Sequence, residues 1–183
     1  MHPALLFVPG ERLSLSELSA ARLDGDVVEM GDAYIPADLV ETSDVRASAI
    51  AALVRRGTAA AGPSAAWIHG AGDAPPVVHH VQRASARRLR PRPSLRVVFH
   101  DTALSESEVT SLGGILVATP LRTMLDLAVG VHRDPRLESW IEHLALACPS
   151  LVGEARTALQ SRDRVPGSRT GRAILERLEL RTR

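Results

Sequence analysis

The sequence contains no lysine and no asparagine, and all 22 of its basic residues are arginine. Without lysine, the chain cannot form a phosphate-binding loop of the Gly-Lys-Ser/Thr type, a Schiff base, a pyridoxal phosphate site or the catalytic centre of a kinase. It also lacks the His-Glu-x-x-His and Cys-x-x-Cys motifs, which supply zinc ligands at suitable spacings. We therefore expect a protein with no enzymatic activity, no cofactor and no bound metal.

Cysteine, aromatic residues and long apolar runs are scarce as well. The single cysteine, Cys148, excludes an internal disulfide bond. Two Phe, two Trp and one Tyr are too few for single-stranded nucleic acid to bind by base stacking. The apolar run at residues 4–8 is too short for a signal peptide, and no run is long enough to cross a bilayer. These absences predict a cytoplasmic protein without a membrane anchor.

Charge is distributed unevenly, although the net charge is only +1. Residues 1–54 contain nine acidic residues and three arginines, a net charge of −6, whereas residues 55–100 contain one acidic residue and eight arginines, a net charge of +7. The alternation repeats, with −5 over residues 101–154 and +5 over residues 155–183. Either these blocks neutralise one another in the folded chain, or the basic blocks form a surface for a polyanion.

The order of apolar, capping and turn residues predicts an α+β fold. Near the N-terminus, a helix over residues 13–23, capped by Ser14 or Ser16, precedes two short strands over residues 26–30 and 33–36. One helix followed by a hairpin is the minimum of a winged helix. We therefore interpret residues 1–42 as a reduced winged-helix-like module, and residues 43–183 as a second domain with a helical C-terminal end.

The second domain is predicted to mix strands with helices before it becomes wholly helical. Further strands are expected over residues 58–61, 76–82, 95–99 and 115–118, and further helices over residues 43–56, 63–69, 120–128, 135–147, 150–161 and 168–181. A single turn of helix is expected within residues 106–111.

A basic, proline-containing loop joins the two middle strands. Its arginines are the candidate DNA-binding residues, with support from two more arginines before the first of these strands: Arg83, Arg87, Arg88, Arg90 and Arg92, with Arg55 and Arg56. The loop is either a solvated connection between strands or a surface that contacts phosphate.

The helix that begins near residue 120 carries a second set of candidate residues. Thr119 is placed to cap this helix and Pro120 occupies its first turn. Arg122 and Asp126 are four residues apart and share a face, so they form either a structural ion pair or part of an anion or partner site.

Three stretches of the sequence together resemble the AbiEi-type antitoxins of type IV toxin–antitoxin systems. The first is Gly-Pro-Ser-Ala-Ala-Trp-Ile-His-Gly at residues 62–70, and the second is the strand–loop–strand segment at residues 77–99. The third, Gly-Ile-Leu-Val-Ala-Thr-Pro-Leu-Arg-Thr-Met-Leu-Asp-Leu-Ala at residues 114–128, is the most specific. The matching motif residues are Ser64, Trp67, His69, Thr119, Pro120, Arg122, Thr123 and Asp126.

The resemblance implies a winged helix that binds DNA and represses its own operon, and a C-terminal domain that counteracts a nucleotidyltransferase-type toxin. In this chain the N-terminal module is short and carries acidic residues where the family usually carries basic ones: Glu17, Asp24, Asp26, Glu29 and Asp32. Only helices are predicted after residue 128, so the Vsr-like endonuclease domain of related chains is not expected. The sequence thus predicts an antitoxin or transcriptional regulator that associates with duplex DNA through arginine clusters. The alternative is a protein-interaction module that has lost DNA binding.

Overall fold

The computed structural model describes residues 5–90, 93–161 and 165–181. Within these ranges the chain forms an N-terminal helix and hairpin, a five-stranded sheet and a layer of C-terminal helices. The predicted α+β class and the helical C-terminal end are confirmed.

Helix α1 (Leu15–Asp24) opens the N-terminal part of the chain. The Ser14 hydroxyl accepts the backbone N–H of Glu17, and the Glu17 carboxylate accepts the backbone N–H of Ser14, so the helix begins at a capping box. It ends at Gly25, which adopts a left-handed conformation with φ of 84°. The sequence therefore specifies both ends of this helix through its capping residues.

A hairpin follows, in which β1 (Val27–Met30) pairs antiparallel with β2 (Ala33–Pro36). Leu18 of α1 packs with Val27 and Tyr34 in a small apolar cluster separate from the main cores. The predicted order of one helix and two strands is confirmed, and its assignment as a reduced winged helix stays a prediction.

The main sheet is mixed and has the strand order β5-β4-β3-β7-β6. Parallel pairs join β4 to β5 and β3 to β7, and antiparallel pairs join β3 to β4 and β6 to β7. The strands are β3 (Thr58–Ala60), β4 (His79–Arg83), β5 (Val97–His100), β6 (Val109–Leu112) and β7 (Ile115–Ala118). This order leaves β5 and β6 as the two edges of the sheet.

The described residues contain six further α-helices: α2 (Ser43–Ala49), α3 (Gly62–Ile68), α4 (Pro120–Gly130), α5 (Leu137–Ala147), α6 (Ser150–Gln160) and α7 (Ser168–Arg181). One buried core lies among α4 to α7, and a second lies between the sheet, α2 and α3. Trp140 of α5 packs against both cores. Helix α4 contacts α3, α5, α6 and α7, so it is the central helix of the domain.

Two predicted elements differ from the observed ones. The helix expected over residues 43–56 ends at Ala49 and continues only as a 3₁₀ turn at Ala51–Leu53, since the chain must reverse at Gly57 (φ 82°) to enter β3. The helical turn expected within residues 106–111 is a 3₁₀ turn at Glu106–Glu108 followed at once by β6. This strand pairs with β7 across the glycine turn, and two glycines between short β-prone runs are the sequence signal for such a hairpin.

Candidate functional sites

The corner between β7 and α4 holds the most specific motif of the sequence. The Thr119 hydroxyl accepts the backbone N–H of Arg122 at 3.3 Å, and Pro120 occupies the first turn of α4. The capping interaction predicted from the sequence is thus confirmed. It fixes the direction in which the Arg122 side chain leaves the helix.

Arg122 lies between two carboxylates and is largely shielded from water. Its Nε donates to Asp126 Oδ2 at 2.8 Å, and its Nη1 donates to Glu108 Oε1 at 2.6 Å. The Arg122 side chain is only 13% exposed. The predicted ion pair with Asp126 is confirmed, whereas Glu108 is a partner that sequence reasoning missed because it precedes the unpredicted strand β6.

The three charges at this corner affect one another unequally. Burial raises the pKa of Asp126, helped by repulsion from Glu108, although Arg122 opposes the increase. Burial also acts to raise the pKa of Glu108, but hydrogen bonds from Ser105 and Arg122 outweigh it and lower this pKa overall. Arg122 therefore stays charged, and Asp126 is the carboxylate of this cluster that protonates more readily.

The motif residues around α3 are also held by structural contacts. Trp67 and Ser64 are fully buried, and the Ser64 hydroxyl accepts the backbone N–H of His80 at 2.9 Å and contacts His79 Nδ1 at 3.1 Å. His69 donates from Nε2 to the carbonyl oxygen of Ala118 at 2.7 Å. Burial lowers the pKa of His69, which favours its neutral form.

These contacts show that the two motifs meet at the end of β7. The Thr123 hydroxyl also donates to the carbonyl oxygen of Ala118, at 3.3 Å. The side chain of Trp67 is core, with the Arg46 guanidinium 5.4 Å from its ring centroid. Sequence reasoning did not single out Arg46, a buried arginine that also donates to the Trp67 carbonyl oxygen at 2.6 Å.

A pair of histidines lies on neighbouring parallel strands at the floor of an open cleft of about 440 Å³. His80 Nδ1 is 3.1 Å from His100 Nε2, so one proton serves the two facing nitrogens. Burial and then the neighbouring His100 lower the pKa of His80 to about 4, and burial also lowers the pKa of His100. The charged and polar residues that line the cleft with them include Asp126, His132, Arg133 and Asp134.

His79 and His80 point to opposite faces of β4, as the alternation of a strand predicts. Among the residues that the structure describes, no group of three or more His, Cys, Asp or Glu side chains has an arrangement that could hold a metal ion.

The arginines of the predicted basic loop are of two kinds: one is buried and hydrogen-bonded, and the others are exposed. Arg83 is only 17% exposed, and its Nε donates to the backbone oxygen of Asp101 at 2.9 Å while its Nη1 donates to the backbone oxygen of Ser85 at 2.9 Å. Arg88 is 86% exposed and donates from Nε to Asp101 Oδ2 at 3.0 Å. Arg83 thus anchors the loop, and Arg88 lies at the surface beside a carboxylate.

The remaining arginines of this region face water. The side chains of Arg55, Arg56, Arg87 and Arg90 are exposed, and none of the four forms an ion pair with another residue in the described ranges. The backbone N–H of Ala84 donates to the Gly57 carbonyl oxygen at 2.8 Å, so the turn with Arg55 and Arg56 lies against the loop. We call Arg55, Arg56, Arg87, Arg88 and Arg90 the arginine surface; Arg92 lies outside the described residues.

Ion pairs also connect the alternating charge blocks. Arg96 contacts Asp32 of the acidic N-terminal block, and on α7 Arg177 and Arg181 contact Glu138 and Glu142 of α5. Mutual neutralisation of the blocks therefore occurs in the fold, but it leaves four arginines of the arginine surface without a carboxylate partner among the described residues.

Residues 58–173 match the family model described as the AbiEi antitoxin C-terminal domain. The matched segment begins at β3 and ends within α7, so it contains the basic loop and the Arg122 corner. The chain belongs to the AbiEi antitoxin family. The resemblance inferred from the three sequence motifs is thereby confirmed.

A search of curated proteins finds no match. Among solved structures, the chain is similar to the RV2827C protein of Mycobacterium tuberculosis, with 18% sequence identity, a TM-score of 0.35 and coverage of 88% of this chain and 68% of that chain. In the part of the chain that the structure describes, every helix is too short or too polar to span a bilayer.

Proposed function

We propose that this chain is a cytoplasmic antitoxin and transcriptional regulator that binds duplex DNA through the arginine surface. The observation that carries this proposal is the exposure of Arg55, Arg56, Arg87 and Arg90, on two segments that a backbone hydrogen bond joins, without carboxylate partners in the described structure. Guanidinium groups displayed in this way neutralise backbone phosphates and release their counterions, which drives association with DNA. Contacts of this kind supply affinity and leave the base sequence unread.

The acidic N-terminal unit supports the same assignment by its charge. Its exposed carboxylates would be repelled by DNA phosphate if α1 and the hairpin approached the duplex: Glu17, Asp24, Asp26, Glu29 and Asp32. We therefore place the DNA contact on the second domain, residues 43–183, rather than on the reduced winged-helix-like module of residues 1–42.

A binding titration at several salt concentrations tests this proposal, with the promoter region of the chain's own gene and a scrambled duplex as probes. Replacing Arg87, Arg88 and Arg90 with alanine should weaken binding and reduce the salt slope of log K by up to about 2.7, which is about 0.9 for each phosphate that the variant no longer neutralises. Glu29→Ala is the control, since removal of a carboxylate should leave binding unchanged or stronger. Binding that survives the triple substitution would move the DNA-binding surface elsewhere, with basic helix α7 as the next region to test.

The antitoxin half of the proposal concerns a nucleotidyltransferase-type toxin as the functional partner. Support comes from the family match, which covers the whole sheet and most of the helical layer. If the adjacent gene encodes such an enzyme, its expression should arrest growth and co-expression of this chain should restore it. Continued arrest, with both proteins present at normal levels, would contradict the pairing.

A protein-interaction module is the second candidate function. The exposed acidic residues of α1 and the hairpin favour it, since such a surface suits a basic protein partner better than a nucleic acid. Failure of the wild-type protein to bind either duplex at low salt would favour this candidate over the DNA-binding regulator.

We also propose that the chain is not an enzyme, and in particular not a nuclease. The absence of lysine from the sequence and of a metal-ligand cluster from the described residues supports this. Plasmid DNA incubated with the protein and magnesium or manganese should stay intact. Cleavage that disappears on a point substitution in the protein would contradict it.

A further inference from the structure

The Asp101 carboxylate contacts both a buried and an exposed arginine of the basic loop. Asp101 directly follows the last residue of β5. Its Oδ1 lies 3.1 Å from Arg83 Nε, and its Oδ2 accepts a hydrogen bond from Arg88 Nε at 3.0 Å. One carboxylate thus contacts two arginines that are five residues apart in the loop.

The two contacts differ in how firmly they are held. Arg83 is mostly buried and donates to the backbone oxygens of Asp101 and Ser85, so it fixes the backbone at Asp101, while the Asp101 carboxylate contacts Arg83 only as an ion pair. Arg88 is almost fully exposed, and Asp101 itself is 40% exposed. The Asp101–Arg88 pair is therefore a surface ion pair built on a fixed backbone.

A surface ion pair of this kind is weak and readily exchanged. Carboxylate and phosphate oxygens are bound by guanidinium in the same way, through charge-assisted N–H donation. A DNA phosphate that approaches Arg88 must therefore displace the Asp101 carboxylate or accept its repulsion. Asp101 lies in the place that a phosphate oxygen would take on this arginine.

We propose that Asp101 is an internal competitor for DNA phosphate, which weakens the contact of Arg88 with the duplex and so lowers the affinity and the salt dependence of the arginine surface. The inference rests on the proposed DNA-binding function. Because the competing pair is exposed, its removal should raise affinity by a modest factor, about two- to fivefold at fixed salt. It should also steepen the salt slope of log K by up to about 0.9, since Arg88 then contacts phosphate in a larger share of the complexes.

The experiment compares Asp101→Asn with the wild-type protein in salt titrations against the same promoter duplex. Asp24→Asn is the matched control, because it removes the same charge from an exposed residue of α1 that has no ion pair with a described arginine. Asp101→Ser is a second neutral variant, to be used if the asparagine variant melts early. Only the Asp101 variants should bind more tightly with a steeper slope.

A double-substitution cycle tests whether Arg88 carries the effect. In an Arg88→Ala background, Asp101→Asn should change neither affinity nor slope beyond what Asp24→Asn does. Weaker binding by Asp101→Asn would overturn the proposal and show that the carboxylate positions Arg88 for DNA. An equal gain from Asp24→Asn would also overturn it, since net charge alone would then be responsible.

Inorganic polyphosphate, titrated in parallel, separates this inference from the proposed function. One outcome is that duplex DNA fails to bind, whereas polyphosphate binds and Asp101→Asn strengthens its binding through Arg88. The proposed competition by Asp101 would then be correct and the proposed DNA-binding function wrong. If duplex DNA binds equally to the wild type and to Asp101→Asn, the proposed competition by Asp101 is wrong and the proposed DNA-binding function stands. If neither probe binds the wild type or the variant, both are overturned.

Discussion

Arg122 and the arginines of the basic loop have the same side chain in opposite surroundings. Arg122 is shielded from water and donates to Asp126 and Glu108. Arg87 and Arg90 are exposed and have no carboxylate partner among the described residues. Burial with full pairing makes an arginine part of the fold, whereas exposure without a partner leaves its charge available to a ligand.

The residues that identify the family and the residues proposed to bind DNA lie in different parts of the molecule. The most specific of the three matching stretches lies at the Arg122 corner, where the side chains of Thr119, Arg122, Thr123 and Asp126 form hydrogen bonds within the fold. The exposed arginines lie in a loop whose sequence is less specific. A motif that identifies a family can therefore mark the part of the molecule that holds the fold rather than the part that binds.

The largest expected effect lies in the core beneath the Arg122 corner. Leu125 is 4% exposed and belongs to the core formed by α4 to α7. Leu125→Ala should lower the free energy of unfolding by about 2–5 kcal/mol, since it removes buried methyl groups and leaves a cavity. Chemical denaturation measures this change, and an unaltered unfolding midpoint would show that α4 is peripheral.

Arg122→Ala should have the next largest effect. It leaves Asp126 and Glu108 partly buried without their shared cation, at an expected cost of about 2–3 kcal/mol in the free energy of unfolding. The variant should bind DNA as the wild type does when both are fully folded. Additional replacement of Asp126 with alanine should recover part of the lost free energy of unfolding. Weaker DNA binding by a folded Arg122→Ala protein would show that Arg122 also takes part in binding.

Acid should destabilise the sheet beside this corner through the His80–His100 pair. Since the pKa of His80 in the folded chain is about 4, below the value of about 6.5 for an unfolded histidine, the unfolded state binds protons first. The contribution of this pair to the free energy of unfolding is therefore complete above pH 6.5 and falls as the pH drops towards 4. The loss should be about 1–2 kcal/mol, less than the full shift implies, because solvent screens this partly exposed pair.

His80→Gln should reduce the pH dependence of the free energy of unfolding between these values, while the lowered pKa values of His69, His79 and His100 should preserve part of it. His143→Gln, at a histidine of α5 outside the pair, is the control for the loss of a histidine side chain elsewhere in the fold. A wild-type curve that is already flat between pH 6.5 and 4 would contradict the pKa assigned to His80.

The smallest effect on stability is expected at the arginine surface. Replacing both Arg87 and Arg90 with alanine should change the free energy of unfolding by less than about 0.5 kcal/mol, since exposed side chains away from any buried network contribute little. Urea denaturation of the double variant checks this value. A loss as large as that of Arg122→Ala would show that these arginines are part of the fold.

Much of the fold could be predicted from the sequence, because local signals define it. Ser14, Thr119 and Pro120 mark helix starts, and the strand over residues 115–118 and the helix over residues 168–181 match the structure at both ends. The predicted helical turn within residues 106–111 misses strand β6 (Val109–Leu112), although two glycines between short β-prone runs indicate a hairpin with β7.

The candidate sites were predictable to a similar extent. The spacing of Arg122 and Asp126 indicates their ion pair, whereas Glu108 joins it from a distant element. The sequence identifies the basic loop, but it does not indicate that Asp101 binds Arg83 and Arg88. Nor does it pair His80 with His100, since the parallel alignment of β4 and β5 brings them together.

The salt dependence of DNA binding by the Arg87→Ala/Arg90→Ala variant tests the central claim most directly. The claim is that the exposed arginines bind the duplex, whereas Arg122 stabilises the folded structure. The account predicts a slope of log K against log salt that is smaller than the wild-type slope by about 1.8, with an unchanged unfolding midpoint. A wild-type slope in this variant, together with a reduced slope in a folded Arg122→Ala protein, would contradict the account.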